Sequence, residues 1–345
     1  MPTRTPRESA PADFSLEELR SLEELERLRE DWRQLWQRAA AATPFQSPEW
    51  VLAWAHHLRS GEPWAFAIRL GERLVGLAPF CLAPDGEGRR RVTLMGTGVS
   101  DYLDTLAEPG FESTVAAMIY NHLDERADLW DCADFQQLRA ESPLLAQDFG
   151  PTRHAPVELQ EQCPVLHAEP DGGWPVPSAF MQKLAYEHRR LSREAQLSFV
   201  TADERTFDRA FDALLRLHGA RWRRRGEAGV LSDRAVERFH TDAARALLGR
   251  GVLRLHVAYD ADRPIASFYG FQHRRRTYYY LGGFDPEYER HSAGNQVVRH
   301  ALERAQHEGA TTFDFLRGQE PYKYRWGAVD HPTYRRQLAC DRQVS

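Results

Sequence analysis

The segment Glu289–Asn295 combines residue types that could bind an anion. It holds a basic residue, a hydroxyl, two small residues and an amide, in the order Arg290, Ser292, Ala293, Gly294 and Asn295. Apolar residues then recur at helical spacing from Val297 to Ala305. The unpaired N–H groups and the dipole of a first helical turn attract phosphate, and glycine permits close approach. Ser292 or Asn295 could instead simply cap the helix, so both interpretations stay open.

A histidine, a tryptophan and a run of arginines form a second group of functional residue types. His218 and Trp222 share the apolar face of a predicted helix that begins near Phe207. The imidazole could contact a substrate, or it could be a hydrogen-bonded core residue. The arginines of the run are Arg221, Arg223, Arg224 and Arg225. They could hold a phosphate group, a sugar nucleotide or tRNA, or they could form a solvated helix end.

Motifs of several other enzyme classes do not occur in this sequence. It contains no GxxxxGK[ST], HExxH, GxSxG or CxxC pattern, which argues against ATPase, zinc-protease and serine-hydrolase sites. The four cysteines are scattered, at Cys81, Cys132, Cys163 and Cys340. This spacing favours reduced thiols and predicts no metal site.

Charge and hydropathy limit the partners of the chain. A net charge of -5 gives no general attraction to DNA or to an anionic membrane. No segment reaches the roughly 18 apolar residues that a membrane span requires, and the N-terminus does not resemble a signal peptide. We therefore expect a soluble, cytoplasmic protein without a transmembrane segment.

The second half of the chain is predicted to alternate helices and strands. The expected elements are helices over 179–196, 207–222, 232–247 and 294–308 and strands over 197–201, 252–259, 264–272, 277–281 and 311–316. Ser232 is the expected cap of the third of these helices, and Gly282-Gly283 is expected to end the fourth strand. On the last strand, alternation places Phe313 and Phe315 on one face and Asp314 on the other.

The first half contains fewer strong patterns. We expect a disordered tail over 1–14, a helix over 22–39, a helix from the Ser47 cap through Leu58, and strands over 64–70 and 73–82. Seven of the chain's 20 prolines lie between residues 141 and 178. Because proline interrupts helices and sheets, residues 146–178 are predicted to form a crossover between two domains, with a short strand at 165–167.

An internal repeat connects the two halves. Each half has a hairpin, an arginine triplet, a strand that ends in glycines, an acidic loop, a helix and a further strand. The triplets, Arg89–Arg91 and Arg274–Arg276, lie 185 positions apart, and the following elements keep nearly the same offset. The chain is therefore predicted to contain two copies of one α/β unit, over residues 15–145 and 179–340.

Three segments carry a family resemblance. They read PFQSPEW (Pro44–Trp50), GVSDYLD (Gly98–Asp104) and FDFLRGQEPYKYRWG (Phe313–Gly327). With the repeat, they resemble the GNAT acyltransferases, and more closely the tandem-GNAT acetyltransferases of the CelD, cellulose-biosynthesis type. These are similar in architecture to the Fem aminoacyltransferases. The resemblance implies an α/β fold of two tandem GNAT-like domains, each a mixed, mostly antiparallel twisted sheet flanked by helices, over about residues 15–335.

The resemblance also implies acyl transfer from acetyl-CoA to an amine, without a metal. In that fold the acyl thioester lies between two diverging strands, here Tyr280 and Leu281 on one and residues 313–316 on the other. Backbone N–H groups polarise its carbonyl. The loop-helix at residues 290–295 would hold the pyrophosphate. The usual GNAT loop reads Arg/Gln-x-x-Gly-x-Gly/Ala, whereas here Ala293 and Asn295 occupy the two small positions.

Amine acylation needs a base and a proton donor for the leaving thiolate. On the strand over residues 313–316, Asp314 is the candidate base, or else an ion-paired strand residue. Tyr322 and Tyr324 are candidate donors, or else packing aromatics. Arg317 and Lys323 could bind an anionic substrate, or they could cover the sheet with their stems.

The first copy of the unit is predicted to be degenerate. Its loop over 100–108 is acidic and would repel a pyrophosphate. We expect it to shape the acceptor cleft, with Asp101, Tyr102 and Asp104 facing that cleft, opposite His218 and Trp222.

The resulting hypothesis is an acetyl-CoA-dependent N-acyltransferase. By resemblance, its acceptor is a sugar amine or another small amine of envelope or exopolysaccharide metabolism, and it could associate with a polysaccharide synthesis system. One alternative is a Fem-like transferase that uses aminoacyl-tRNA. Another is a catalytically degenerate scaffold of a polysaccharide synthase complex.

Overall fold

The computed structural model describes residues 13–59, 61–145, 157–224 and 226–339. Its helices are α1 (Leu22–Arg27), α2 (Arg29–Arg38), α3 (Pro48–His57), α4 (Glu112–Glu125), α5 (Ser178–Glu194), α6 (Phe207–Arg223), α7 (Arg234–Leu248), α8 (Ala293–His307) and α9 (Pro321–Tyr324). Among the described residues, no helix is both long and apolar enough to cross a membrane.

In the described part of the chain, fifteen strands make up two sheets. They are β1 (Phe14–Leu19), β2 (Glu62–Pro63), β3 (Ala65–Leu70), β4 (Arg73–Ala78), β5 (Phe80–Pro84), β6 (Arg90–Leu94), β7 (Leu106–Ala107), β8 (Cys132–Arg139), β9 (Val157–His167), β10 (Leu197–Thr201), β11 (Leu253–Asp260), β12 (Arg263–His273), β13 (Arg276–Phe284), β14 (Thr312–Asp314) and β15 (Val329–Ala339). The smaller sheet has the order β1-β3-β4-β7, and the larger has the order β10-β11-β12-β13-β14-β9-β15-β8-β6-β5-β2. Nearly all neighbours are antiparallel, and helices flank the sheets, which confirms the predicted fold class.

The strand topology repeats between the two halves. In the first half β5 pairs antiparallel with β6, and β6 pairs parallel with β8. In the second half β12 pairs antiparallel with β13, and β13 pairs parallel with β14. The last arginine of each triplet sits in the parallel ladder, since Arg91 lies opposite Cys132 and Arg276 opposite Thr312. The tandem arrangement inferred from the sequence is therefore present in the fold.

Strands from each half join the two copies at the centre of the larger sheet. β9 follows the first copy in sequence but pairs with β14 of the second, while β15 follows the second copy and pairs with both β9 and β8. The strand predicted at 165–167 is the end of β9, which begins at Val157 within the expected crossover over 146–178, whereas β15 was not predicted. Pro164 is accommodated because its carbonyl accepts a hydrogen bond from the N–H of Phe315 at 2.9 Å, although proline donates none.

Smaller differences from the predicted elements have local causes. β1 begins at Phe14, inside the predicted tail, whose residues 1–12 lie outside the described residues. The helix over 22–39 is two helices that meet at Leu28. The cap of α7 is Asp233, whose carboxylate accepts the N–H groups of Ala235 and Val236 at 2.7 and 3.2 Å, and not Ser232. Pro79 divides the predicted strand over 73–82 into β4 and β5, which belong to different sheets.

The two faces of the second-half sheet pack against different partners. Tyr269 and Phe271 face α6, α7 and the aromatic residues of the first half. Phe268 and Phe313 face the apolar side of α8. The predicted alternation around Asp314 is therefore correct, since Phe313 and Phe315 lie in the α8 core and Asp314 on the opposite face.

Gly282 and Gly283 lie within β13 and do not end it. A Cβ at Gly283 would lie 2.3 Å from the backbone nitrogen of His218, and one at Gly282 would lie 2.3 Å from the Tyr279 hydroxyl. Gly283 therefore allows the backbone of α6 to pack directly on the strand, whereas Gly282 leaves room for the Tyr279 side chain.

Candidate active site

β13 and β14 separate soon after they pair. Their ladder covers only Arg276–Tyr278 against Thr312–Asp314. On its other side β13 has a bulge, because Leu281 pairs with Tyr269 and Tyr279 with Gly270, which leaves Tyr280 as the extra residue. The predicted divergence of these two strands is present, and it opens a passage through the sheet.

Two cavities meet at this passage. The first, which we call the donor cavity, has a volume of about 300 Å³ and includes the first turn of α8. The second, the acceptor cavity, has a volume of about 240 Å³ and lies between the two halves of the chain. Arg221, Tyr279 and Tyr322 line both cavities. The two cavities are therefore direct neighbours.

The donor cavity contains most of the predicted anion-binding loop. Ser292, Ala293, Gly294 and Asn295 line it, with Arg221 and Arg325 as the cations. Ser292 has a left-handed φ of 52° and makes no side-chain cap hydrogen bond, so the cap-only interpretation does not apply to its hydroxyl.

Arg290 is the member of that loop which the structure places elsewhere. Its Nη2 atom lies 3.1 Å from Glu194 on α5, and Arg290 is absent from the lining of the donor cavity. The basic residues of the cavity are instead Arg325 and Arg221, and Arg221 belongs to the run at the end of α6. Arg224 of that run pairs with Glu289 at 2.6 Å, and Arg225 lies outside the described residues.

The acceptor cavity is built from both copies of the unit. The first half contributes Gly98, Val99 and Asp101. The second half contributes residues of α6, α7, β13 and the segment after β14, namely His218, Arg221, Trp222, Val230, Val236, His240, Tyr279, Tyr280, Leu281, Gly282, Phe315, Leu316, Arg317, Glu320, Tyr322 and Lys323. Tyr280 and Leu281, predicted to bind the donor, thus lie at this end of the passage.

Asp101 is a buried carboxylate in this cavity. It is 3% exposed, and its Oδ1 atom lies 2.9 Å from Nε of Arg317. The contact lacks hydrogen-bond geometry, so among the described residues this oxygen has no hydrogen-bond donor. Burial raises the pKa of Asp101 to about 6, and Arg317 opposes that rise.

Tyr322 lies where the two cavities meet. Its hydroxyl is hydrogen-bonded to that of Tyr279, and burial raises the pKa of Tyr322 well above the ordinary 10.0. The phenol therefore stays protonated at neutral pH and can donate a proton. Tyr324, the other predicted donor, lines neither cavity and donates to Asp330 at 2.7 Å.

Asp314 occupies a closed position between the halves. It is fully buried, accepts the Tyr102 hydroxyl at 3.1 and 3.0 Å and the Leu316 N–H at 2.8 Å, and pairs with Arg276 at 3.3 Å. It lines neither cavity. The geometry therefore argues against Asp314 as the base and makes the Tyr102–Asp314 pair a connection between the two copies, so Tyr102 does not face the acceptor cavity either.

Asp104 and Lys323 also have structural partners. Asp104 accepts from the hydroxyl of Ser142 at 2.8 Å and lies outside both cavities; burial raises its pKa to about 7. Lys323 lines the acceptor cavity, but its ammonium donates to the carbonyls of Leu316, Arg317 and Gly318 at 3.1, 2.7 and 2.9 Å. It orders the loop after β14 and has no donor left for a substrate.

Two histidines line the acceptor cavity. His218 accepts the indole N–H of Trp222 at 2.8 Å, so the predicted pair is one hydrogen-bonded unit, and burial lowers the pKa of His218 to about 4. His240, which sequence reasoning missed, is 1% exposed, and burial lowers its pKa to about 3. The sequence feature that could have identified His240 is its position one turn after Val236 on the apolar stripe of α7.

Comparison with known proteins agrees with this geometry. Residues 178–324 match the family described as "Acetyltransferase (GNAT) domain". FemX has a TM-score of 0.62 at 10% identity, over 90% of this chain and 96% of FemX. The C-terminal domain (DUF2156) of a putative lysylphosphatidylglycerol synthetase from Agrobacterium fabrum has a TM-score of 0.59 at 12% identity, over 91% of this chain and 92% of that one.

L-PGS from Bacillus licheniformis has a TM-score of 0.54 at 13% identity, over 84% of this chain and 91% of that one. No curated protein matches the sequence. At these identities the structural likenesses concern the fold alone, whereas the family match concerns the segment that supplies most of the lining of both cavities. Residues 178–324 thus match a GNAT acetyltransferase domain, and this match supports an acyltransferase activity.

Proposed function

We propose that the protein transfers the acetyl group of acetyl-CoA to the amino group of a small acceptor. The observation that carries this proposal is the passage between β13 and β14, which joins a cavity suited to an anionic donor with one suited to an ammonium. The donor cavity has a helix N-terminus and two arginines, and the acceptor cavity has the buried Asp101.

The residues of the donor cavity fit a nucleotide-diphosphate donor. The first-turn N–H groups of α8 and the guanidinium of Arg221 would hold the phosphates. A Cβ at Gly294 would lie 3.5 Å from the Phe284 ring, an ordinary contact distance, so this part of the cavity has room for a methyl group. Asn295 replaces the small residue of the usual loop, yet the cavity beside it has room for a diphosphate.

Acetyl-CoA supplies an activated thioester carbonyl when it is bound. The bulge at Tyr280 takes backbone N–H groups out of the ladder, and such groups can stabilise a developing oxyanion. The Tyr322 phenol would protonate the leaving thiolate from the junction of the two cavities.

The finer parts of the proposal rest on sequence resemblance. The three CelD-type motifs support an acceptor from envelope or exopolysaccharide metabolism, such as a sugar amine, and a cytoplasmic place in such a system. We also keep the division into a degenerate copy over 15–145 and a catalytic copy over 179–340, joined over 146–178. In this scheme the first copy completes the acceptor cavity.

Amine-dependent release of thiol from acetyl-CoA tests the proposed function. We expect release with at least one member of a panel of amino sugars, polyamines and amino acids. Arg221→Gln should raise the KM for acetyl-CoA about 10- to 100-fold, because a charge-assisted hydrogen bond contributes about 1.5–3 kcal/mol. The matched control is Arg209→Gln on the same helix, where the arginine pairs with the exposed Asp262.

Three results would contradict this function: no thiol release with any amine, transfer only from aminoacyl-tRNA, or equal effects of the two arginine substitutions. The second would favour a Fem-like transferase. The first, combined with a phenotype on deletion of the gene, would favour a scaffold.

A further inference from the structure

The loop Gly98–Asp104 of the first copy is held on one side by its own copy and on the other side by the catalytic copy. The Trp50 indole donates to the hydroxyl of Ser100 at 2.8 Å. The Tyr280 hydroxyl, from the bulge of β13, donates to the carbonyl of Val99. Asp101 directly follows these two anchored residues, and it lies in the wall of the acceptor cavity.

We propose that Asp101 is the general base of the transfer, so that the first copy supplies a catalytic group to the active site of the second. This inference rests on the proposed function and deepens it. It also replaces Asp314, the base expected from the sequence, whose carboxylate is enclosed by Tyr102, Leu316 and Arg276.

The other groups of the acceptor cavity are less suited to this role. The Nε2 lone pair of His218 is used by Trp222. The imidazole of His240 is enclosed by the rings of Trp50, Phe239, Tyr269 and Tyr280. Glu320 is half exposed and pairs with Lys323 at 2.9 Å. Among the described carboxylates that line this cavity, only Asp101 is buried and has an oxygen without a hydrogen-bond donor.

The proton and bond changes balance. An acceptor that arrives as an ammonium gives one proton to Asp101, which passes it to solvent. The neutral nitrogen then forms a bond to the acyl carbon, and the carbon–sulfur bond breaks with its electron pair on sulfur. One of the two protons still on the nitrogen goes to Asp101, the other stays on the amide, and Tyr322 protonates the thiolate. The net change converts an ammonium and a thioester into an amide, a thiol and one proton, and solvent restores both side chains.

The surroundings of Asp101 set the pH at which it can accept a proton. Burial, Asp314 and Glu161 raise its pKa, whereas Arg317 and Lys323 lower it, with a result of about 6. The Tyr280 phenol and Glu320 also face this region. The carboxylate is therefore ionised above about pH 6, and kcat/KM should fall as the pH drops below that value.

The test compares Asp101→Asn with wild type and with Asp262→Asn, the same change at an exposed turn. For each protein we would measure the melting temperature, acetyl-CoA binding by calorimetry, and the pH profile of amine-dependent thiol release from pH 5 to 9. In Asp101→Asn we expect acetyl-CoA affinity within about threefold of wild type and a kcat about 10² to 10³-fold lower, in the range of general base catalysis. The acidic limb near pH 6 should disappear, while Asp262→Asn should retain it.

Arg317→Gln gives an independent test if Asp101→Asn does not fold. Because Arg317 lowers the pKa of Asp101, its removal should move the acidic limb to higher pH. The role of Asp101 is overturned, and the proposed function is not, if Asp101→Asn keeps kcat within threefold of wild type with the acidic limb of the pH profile intact. The same holds if the acidic limb does not move in Arg317→Gln. If wild type releases no thiol with any amine, the proposed function is overturned and this inference with it.

Discussion

Tyr322→Phe is expected to lower kcat for amine-dependent thiol release about 10²-fold, since loss of a general acid removes at least that factor. The substitution removes only the hydroxyl, which lies where the donor and acceptor cavities meet and is bonded to Tyr279. Acetyl-CoA affinity should change less than about threefold, because the ring remains to line the cavity. Steady-state kinetics and calorimetry on the same preparation measure both quantities.

The comparison that isolates the role of Tyr322 uses other tyrosines. Tyr186→Phe removes an exposed phenol on α5 and should leave kcat unchanged. Tyr324→Phe breaks the hydrogen bond to Asp330, away from both cavities. A large loss of kcat in Tyr324→Phe with little loss in Tyr322→Phe would contradict the assignment of the proton donor.

Gly283→Ala is expected to destabilise the protein by about 3 kcal/mol, at the upper end of the usual cost of overpacking. The added Cβ would lie 2.3 Å from the nitrogen of His218 and 2.4 Å from the carbonyl carbon of Leu217. Both are backbone atoms of α6, so relief requires the helix to move away from β13. Urea unfolding measures the change in the free energy of unfolding.

Gly249→Ala is the matched control for that change. Gly249 has an ordinary φ of -61°, and its nearest backbone atom would lie 3.6 Å from an added Cβ. The free energy of unfolding of Gly249→Ala should stay within about 0.5–1 kcal/mol of the wild-type value. Equal stabilities of the two alanine variants would show that the close packing of α6 on β13 is not important.

Elements with a strong local pattern could be predicted from the sequence. β10 has its predicted ends at Leu197 and Thr201, and α8 differs from its predicted range by one residue at each end. Alternation of apolar and polar residues also gave the correct faces for Asp314 and its neighbours. These successes reflect information contained within a few residues of each position.

The exchange of β9 and β15 could not be predicted in this way. Their partners lie far away in sequence, and no local periodicity encodes which strand a long segment will join. The prolines near β9 also resembled those of a linker, because a pattern cannot show that Pro164 contributes through its carbonyl. The role of Gly283 in β13 was misinterpreted for the same reason, since the backbone of α6 that requires a glycine there is more than 60 residues away.

The site could be predicted in part. The anion-binding loop before α8 has a local signature, and four of its five predicted residues line the donor cavity. The distinction between Asp101 and Asp314 depends on a contact across the two copies, in which Tyr102 engages Asp314 and leaves Asp101 in the cavity. Sequence patterns gave both carboxylates but not their partners. Lys323 was likewise predicted as a substrate ligand. Its ammonium instead has three carbonyl partners, and these depend on a loop conformation that sequence patterns do not show.

Calorimetric titration with acetyl-CoA tests the central claim most directly. Wild type, Gly294→Trp and Gly294→Ala would be compared at equal concentration. We predict micromolar binding by wild type, binding at least tenfold weaker in Gly294→Trp because the indole fills the donor cavity, and near-wild-type binding in Gly294→Ala, whose methyl would lie 3.5 Å from Phe284. No binding by wild type, or equal binding by wild type and Gly294→Trp, would contradict the donor cavity as the site of acetyl-CoA.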